Sequence, residues 1–418
     1  MKFIADLHIH SHFSMATSKQ LTPEFLDKWG RIKGIKLIGT GDFTHPGWLA
    51  ELKDKLVPAE PGLYRLKEEF KQPCFVPETT ENSVRFILSA EISNIYKKQG
   101  KVRKVHSLLL APGFQEAEDL QQVLQSREFN ITSDGRPILG LDAKLLLDMA
   151  LEVSTEMVFI PAHIWTPWFS VLGSRSGFNT IEACFEDLAV HIHALETGLS
   201  TDPAMNWMCS ILDNYNLISN SDAHSPEKMG RNATLFDTEL SYTGVKEALE
   251  DRQGEKLAGT FDMYPQAGKY HYDGHRKCGI CWSPKETVQH DGICPECGKK
   301  VTVGVAHRVV ELSDRFNILE RPNRKPFYSI IPLKNMLSEM EMVGEKSKRI
   351  ARLYEMHVAK AGSEYQLLHY MSIEVIREEH GATLAEAIGR MRNHEVFIHE
   401  GFDGAYGKVQ LFRNKSGR

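Results

Sequence analysis

Lys2-Phe3-Ile4-Ala5-Asp6-Leu7-His8-Ile9-His10 opens the chain. Residues 2 to 6 form a mostly apolar, strand-like run, and period-two alternation then sets His8 and His10 on one face of an extended segment. Two neutral imidazoles side by side suit zinc, manganese or iron. The same design, an apolar run with a histidine or carboxylate at or beside its end, recurs further along the chain. Asp42 ends Gly39-Thr40-Gly41-Asp42, with His45 close behind, and Glu91 lies in Leu88-Ser89-Ala90-Glu91. His106 starts Val105-His106-Ser107-Leu108, and His163 ends Phe159-Ile160-Pro161-Ala162-His163. Glu196 ends Ala194-Leu195-Glu196, and Asp222 and His224 end Ser219-Asn220-Ser221-Asp222-Ala223-His224.

These runs predict strands over Phe3–Asp6, Lys36–Thr40, Val84–Ile92, Val105–Leu110, Met157–Pro161, Ala194–Glu196 and Asn216–Ser219. Helical stretches are predicted over Thr22–Lys33, Leu141–Leu151 and Thr243–Arg252. Repeated β-then-α units favour a parallel α/β sheet or barrel. Such barrels keep their active sites at the strands' C-terminal ends. A polynuclear metal centre therefore accounts for the His and acidic residues better than chance placement does. Glu91 is the candidate bridging ligand, because one carboxylate can bind two cations. A centre of this kind activates water near neutral pH and clamps the oxygens of a phosphate, so the natural reaction is hydrolysis of a phosphate ester. Spacing does not distinguish a monoester from a diester.

Composition sets outer limits. The chain has 418 residues, 42 % hydrophobic and 25 % charged, which excludes a wholly disordered or collagen-like protein. No apolar run is long enough for a transmembrane helix. The opening residues read as a strand and not as a signal peptide. With seven cysteines and no export signal, a cytoplasmic location without a disulfide framework is expected. The formal net charge of −5 is unevenly spread. Residues 1–264 are net acidic, and residues 265–327 carry 11 basic against 7 acidic side chains. A positive segment of this kind suits a polyanion.

That segment also holds Cys278-Gly279-Ile280-Cys281 and Cys294-Pro295-Glu296-Cys297, two CxxC pairs separated by twelve residues. Four thiolates at this spacing predict a closed structural zinc site, a ribbon with Gly279, Gly292 and Gly298 in its turns. Lys277, Lys285, Lys299, Lys300, Arg308, Arg321, Arg324 and Lys325 around it favour a phosphate-backbone contact. Trp282 either stacks on a base or packs on the zinc loops. From Ile330 the chain turns helical. Thr383 and Glu386 are placed for a capping box, and Leu384, Ala387, Ile388 and Met391 follow at the spacing of a buried face.

Two further stretches are candidate substrate contacts. Lys97-Lys98-Gln99-Gly100-Lys101-Val102-Arg103-Lys104 joins the Glu91 and His106 strands as a basic hairpin, and Lys101, Arg103 and Lys104 are its substrate candidates. The segment from Ile164 to Phe178 leaves His163 with Trp165, Trp168, Phe169 and Phe178, an aromatic wall for a planar base. Its Arg175 is suited to pair bidentately with a phosphate.

In order and approximate spacing, Asp-Leu-His-Ile-His, the Asp42 and Glu91 motifs, Pro-Ala-His and Ser-Asp-Ala-His resemble the PHP (polymerase and histidinol phosphatase) superfamily. This implies a distorted (β/α)7 barrel over residues 1–262 with a trinuclear site at the strands' C-terminal ends. The metal ligands expected are His8, His10, Asp42, Glu91, His106, His163, Glu196, Asp222 and His224. Of these, His8, His10, Glu91, Asp222 and His224 are the candidate catalytic residues. The motif departs where Asp42 stands in the usual histidine slot and where Ser14-Met15-Ala16-Thr17 replaces a ligand. One metal position is thereby weakened or re-ligated, through His12 or His45.

A PHP barrel followed by a zinc ribbon (263–327) and a small, mainly helical region (328–418) ending Gly401-Phe402-Asp403-Gly404-Ala405-Tyr406-Gly407 is similar to the endonuclease Q family. The resemblance implies a DNA-repair endonuclease that cuts the phosphodiester 5′ to a deaminated base (uracil, hypoxanthine or xanthine) or an abasic site. Its partner is double-stranded DNA. Its cofactors are zinc in the ribbon and two or three divalent zinc, manganese or iron ions in the barrel, with magnesium a further option. A PHP-type small-molecule phosphatase and a non-catalytic DNA-binding protein on a PHP scaffold are the alternatives.

Overall fold

The computed structural model describes residues 1–80 and 82–413. Its strands are β1 Lys2–Asp6, β2 Leu37–Gly39, β3 Leu56–Pro58, β4 Tyr64–Leu66, β5 Arg85–Lys98, β6 Lys101–Ala111, β7 Ile138–Leu139, β8 Val158–Pro161, β9 Ala194–Glu196, β10 Asn216–Ile218, β11 Ala233–Asp237, β12 Leu257–Met263, β13 Asp273–His275, β14 Ile280–Trp282, β15 Phe327–Ile330, β16 Phe397–His399 and β17 Lys408–Gln410. The main sheet runs β15-β12-β11-β1-β2-β5-β4-β3, with β6 and β7 added to β5 and β8 added to β6. The three predicted helices appear as Pro23–Lys33, Ala143–Val153 and Tyr242–Glu250.

Strands β1, β2 and β5 are parallel, as their intervening helices require. The sheet is nevertheless mixed, because β5 and β6 form an antiparallel hairpin from Leu88↔Ala111 to Lys98↔Lys101. Its turn is Gln99-Gly100, with φ of 54° and 73°. A two-residue turn with both residues left-handed matches the strands' own twist and forces the antiparallel return. Strand β8 then adds antiparallel to β6.

Backbone hydrogen bonds continue beyond the ladders. Ile164 N donates to Glu196 O (3.0 Å), and β9 and β10 pair in parallel. Beyond β10, Ala223 O accepts from His10 N (3.2 Å), which returns the path to the extension of β1. Seven segments, β1, β2, β5, β6, β8, β9 and β10, are thus linked in succession. Close approach at these ends needs a missing side chain: a Cβ on Gly39 would lie 2.1 Å from Leu7 O.

The core falls into two clusters of buried side chains, and the larger includes two fully buried tryptophans whose indole N–H groups are satisfied. Trp48 donates to Gly41 O and Trp165 to Asn206 Oδ1, both at 2.7 Å. The C-terminal region joins the main sheet through β15, parallel to β12. It is also tied to the first helix by the buried Lys33 Nζ–Glu364 Oε2 pair at 2.6 Å. The expected boundary at 327/328 therefore falls within β15. Leu384, Ala387, Ile388 and Met391 are buried as their spacing predicts. The expected capping box is absent. Helix Ala382–Arg392 starts directly after Gly381 (φ 98°), which also ends helix Ile373–His380, so Thr383 lies inside the helix and caps nothing. Among the described residues no helix is long and apolar enough to cross a membrane.

Buried Asp262 in β12 accepts hydrogen bonds from Ser219 Oγ and Thr260 Oγ1, each at 2.6 Å. Burial outweighs these and pushes its carboxyl up from 3.8 to about 7. The proton it retains in the native state stabilises the fold fully below the ordinary value of 3.8, and that contribution is lost as pH rises through about 7. Asp262→Asn removes the ionisation. Thermal melts across pH should show the variant gaining on the order of 2 kcal/mol over wild type at mildly alkaline pH and almost nothing in acid.

Candidate metal centre

Four imidazoles converge on one buried carboxylate, Glu91 of β5. Its Oε1 lies 2.6 Å from His106 Nδ1, 3.1 Å from His163 Nε2 and 3.5 Å from His8 Nε2. Its Oε2 lies 3.4 Å from His10 Nε2. Asp222 completes the cluster, with Oδ1 2.9 Å from His10 Nε2 and 3.8 Å from His8 Nε2. The candidate ligand atoms fall into two groups that share Glu91: His8, His10, Glu91 and Asp222 in one, and Glu91, His106 and His163 in the other. Within each group the atoms lie within 4.8 Å of one another.

The donor set fits divalent cations. His8 Nε2 is buried and has no hydrogen-bond partner, which is costly for a nitrogen aimed at nothing and natural for a metal ligand. His8 Nδ1 donates to both oxygens of Glu196 at 3.0 Å, and His10 Nδ1 to Asp42 Oδ1 at 3.2 Å. A carboxylate behind a ligating imidazole fixes the ring and its tautomer.

Asp42 and Glu196, expected as ligands, are engaged otherwise here. Asp42 Oδ2 already accepts from Ser11 N (2.7 Å), Ser11 Oγ (2.6 Å) and Ser14 Oγ (2.7 Å). Glu196 also accepts from His163 N (2.7 Å) and Asn220 Nδ2 (2.9 Å). Neither joins the gathered ligand atoms; both stand behind imidazoles. Ser14, in the stretch where a ligand was missed, instead holds Asp42.

Left-handed backbone aims several of these side chains. Asp42, His163 and Asp222 have φ of 51°, 28° and 47°. Non-glycine residues are uncommon there, and strain of this kind collects at functional sites. Each marks a strand end where the chain turns sharply.

Charge is strongly coupled. Burial pushes the Glu91 carboxyl up, but the imidazoles of His106 and His8 outweigh it and hold the group well below the usual carboxylate range. Burial pushes His106 down to about 4 and keeps it neutral, as a ligand must be. His224 lies at the rim: its side chain is 37 % exposed, and Nδ1 donates to Asp222 O (2.9 Å). It is not among the gathered ligands. The remaining two histidines are otherwise engaged. His12 pairs with Glu51 (2.8 Å), and His45 accepts from Trp48 N and donates to Thr132 O (3.0 Å). Sequence reading missed Arg136, whose Nη1 donates to Glu91 Oε2 at 3.1 Å. It sits in an irregular loop where no periodicity or motif marks it.

The ribbon gathers His275, Cys278, Cys294 and Cys297, a Cys3His group that suggests a zinc site. The expected fourth thiolate, Cys281, is not in it. The β13/β14 ladder explains why. Cys281 opposes Gly274 and His275 opposes Ile280, so alternation places Cys281 and His275 on opposite faces. Cys297 Sγ lies 3.4 Å from His275 Nδ1. The His275-x-x-Cys278 spacing was a readable signal. Gly279, Gly292 and Gly298 turn with φ of 65° to 70° as expected. Trp282 stacks on His290 at 4.5 Å.

The substrate candidates divide. Trp165 is fully buried, so it is core and not an accessible wall. Arg103 is also buried: its guanidinium donates to Gly177 O and lies 4.0 Å above the Phe178 ring. Arg308 donates to Leu172 O, Phe178 O and Asn179 Oδ1, and Arg321 to Tyr215 O, so both are internal ties. Lys101 and Arg175 are exposed, and Lys104 lies over Phe169. The hairpin tip is about 25 Å along β5 from Glu91, so its exposed lysines stand away from the ligand cluster. Lys277, Lys285, Lys299 and Lys300 are exposed and make no ion pair among the described residues. A cleft of about 790 Å³ opens at Asp222, walled by Thr166, Arg231, His271, Asn335 and Tyr406 among others. Its walls come from all three parts of the chain.

No family model matches the chain. Its fold superposes on the crystal structure of the lesion-specific endonuclease PfuEndoQ from Pyrococcus furiosus with a TM-score of 0.84. The two are 30 % identical, over 98 % of this chain and 95 % of that one. A structure of endonuclease Q with a 27-mer duplex substrate, carrying an abasic lesion at the active site, matches with a TM-score of 0.83 at 30 % identity. That match covers 98 % of this chain and 96 % of the other. The chain is 28 % identical to the uncharacterized protein YqxK of Bacillus subtilis, over 98 % of this chain and 99 % of that protein. It is 32 % identical over 275 residues to an uncharacterized protein of Methanocaldococcus jannaschii, which matches 62 % of this chain. The match spans about a third of that relative's length, 34 %.

The ribbon geometry is open to a direct check. Cys281→Ser should keep its zinc and melt within a few degrees of wild type, because the side chain lies off the ligand face. Cys294→Ser and His275→Ala should release zinc to a chromogenic chelator and melt at least 5 °C lower, roughly the effect of losing a structural zinc ligand.

Proposed function

The chain belongs to the endonuclease Q family, and we propose that it is a metal-dependent DNA-repair endonuclease cutting the phosphodiester 5′ to a deaminated base or an abasic site. The observation that carries this reading is the sharing of Glu91 between two groups of candidate ligands, one of which reaches a cleft through Asp222, on an endonuclease Q fold. The seven linked segments are read as the distorted PHP barrel over residues 1–262. Residues 263–327 are read as a zinc ribbon and 328–418 as a helical region, the two gripping the duplex on either side.

Divalent cations bound by these residues would supply the Lewis acidity that activates water and offsets phosphate charge. His8, His10, Glu91 and Asp222 would hold one cation, and Glu91, His106 and His163 the other. Glu196 and Asp42 orient His8 and His10, so the rings need no rearrangement when substrate arrives. Burial of Glu91 and the two first histidines keeps water in the centre scarce and its electrostatics strong. His224 stands at the exposed rim of the centre, beside Asp222. A deaminated or abasic nucleotide unstacks at lower cost than a paired one, and the cleft beside Asp222 has the volume to receive it.

Nicking assays on duplexes that each hold one uracil, hypoxanthine, xanthine or abasic site test the reading. Wild type should cut 5′ to the lesion and leave the undamaged duplex intact. His8→Ala and Asp222→Ala should each lower kcat/KM by at least ~10³-fold while binding the duplex normally, as loss of a metal ligand does. Turnover of nitrophenyl phosphate alone would favour a small-molecule phosphatase. Binding without cutting would favour a non-catalytic scaffold.

A further inference from the structure

Arg136 is a cation inside the centre that metal ligation does not explain. It lies in Thr132-Ser133-Asp134-Gly135-Arg136-Pro137, a loop held at every step. Thr132 O accepts from His45 Nε2 (3.0 Å), and Asp134 Oδ1 accepts from Met15 N and Arg136 N, both at 3.1 Å. Gly135 N donates to Phe13 O (3.2 Å), and Pro137 O accepts from Ser93 N (3.0 Å). A Cβ on Gly135 would lie 2.3 Å from Asp42 Oδ2, so the loop backbone presses directly on the hydrogen-bonded pocket behind His10. A solvated surface arginine requires no such mounting.

The Arg136 side chain is only 26 % exposed. Nη1 donates to Glu91 Oε2 at 3.1 Å, while Nε and Nη2 have no protein acceptor among the described residues. It acts electrostatically on Asp222, His106 and His224 as well as on Glu91, the carboxylate shared by the two ligand groups. Among the described residues no third group of candidate ligand atoms gathers there. Asp42 has both oxygens engaged by His10, Ser11 and Ser14, and His224 stands apart.

We propose that Arg136 grips the scissile phosphate: Nη1 stays on Glu91, and the free Nε–Nη2 edge takes two phosphate oxygens, supplying fixed positive charge where no third cation site is built. A planar guanidinium edge matches a phosphate in this bidentate way, and a lysine does not. The inference rests on the reading of the centre as the metal site of a phosphodiester hydrolase.

The test uses the full-length, metal-loaded protein as wild type, Arg136→Lys and Arg136→Ala. Metal content is measured by mass spectrometry, and affinity for inorganic phosphate by calorimetry. All three proteins should hold the same number of ions. Phosphate binding should weaken by ~30-fold in Arg136→Ala and by less in Arg136→Lys, consistent with loss of a charge-assisted bidentate pair. Added guanidinium ion should restore part of the nicking rate to Arg136→Ala and leave wild type unchanged. Unaltered phosphate affinity with full metal content overturns the assignment. So does loss of metal in Arg136→Ala with normal metal and phosphate binding in Arg136→Lys, which would make the residue a support for Glu91 alone. A wild type holding only the ribbon ion overturns both this inference and the hydrolase reading, and that result is visible before any variant is compared.

Discussion

A carboxylate sealed from water demands positive charge, and Glu91 is fully buried. Its neighbours answer that demand: four imidazoles and one guanidinium reach it from four different segments. Because β5 fixes the carboxylate in mid-strand, the ends of β1 and β8 must converge on it, and His106 of β6 must face it across the hairpin. The left-handed turns at Asp42, His163 and Asp222 and the carboxylates behind His8 and His10 serve this convergence. The sheet curls around one electrostatic requirement.

Much of this was legible because the chemistry sits where periodicity is strongest. Apolar runs ending in His or Asp marked β1, β8 and the segment after β10 within a residue or two, and Glu91 stood out inside its strand. Direction was harder to read. The β5–β6 hairpin was expected, but repeated β-then-α units alone point to a parallel sheet, and the antiparallel return of β6 and then β8 makes it mixed. Role was harder still. Asp42 and Glu196 carry a ligand's chemistry, but they are engaged by serines, backbone N–H groups and imidazoles, contacts between residues distant in sequence.

The aromatic and basic residues show a similar limit. Trp165, Arg103 and Arg308 have the composition of a binding surface, yet they are internal, and burial is not written in residue type. Arg136 is the reverse case, an unremarked loop residue that tertiary contacts bring to the centre. The ribbon's ligand set turned on a single question of strand alternation, His275 against Cys281, which the register settles.

Arg308 links two regions described separately. Asp273 of β13 holds the start of its helix, Val305–Leu312, through Gly304 N (2.6 Å) and His307 Nδ1 (2.5 Å). From that helix Arg308 clasps the carbonyls of Leu172 and Phe178, in the loop that begins at His163. The cysteine-rich module is therefore a brace as well as an appendage. The loop that leaves the His163 end of the metal-ligand cluster is held, through one tie-rod, by a module organised around three thiols and an imidazole.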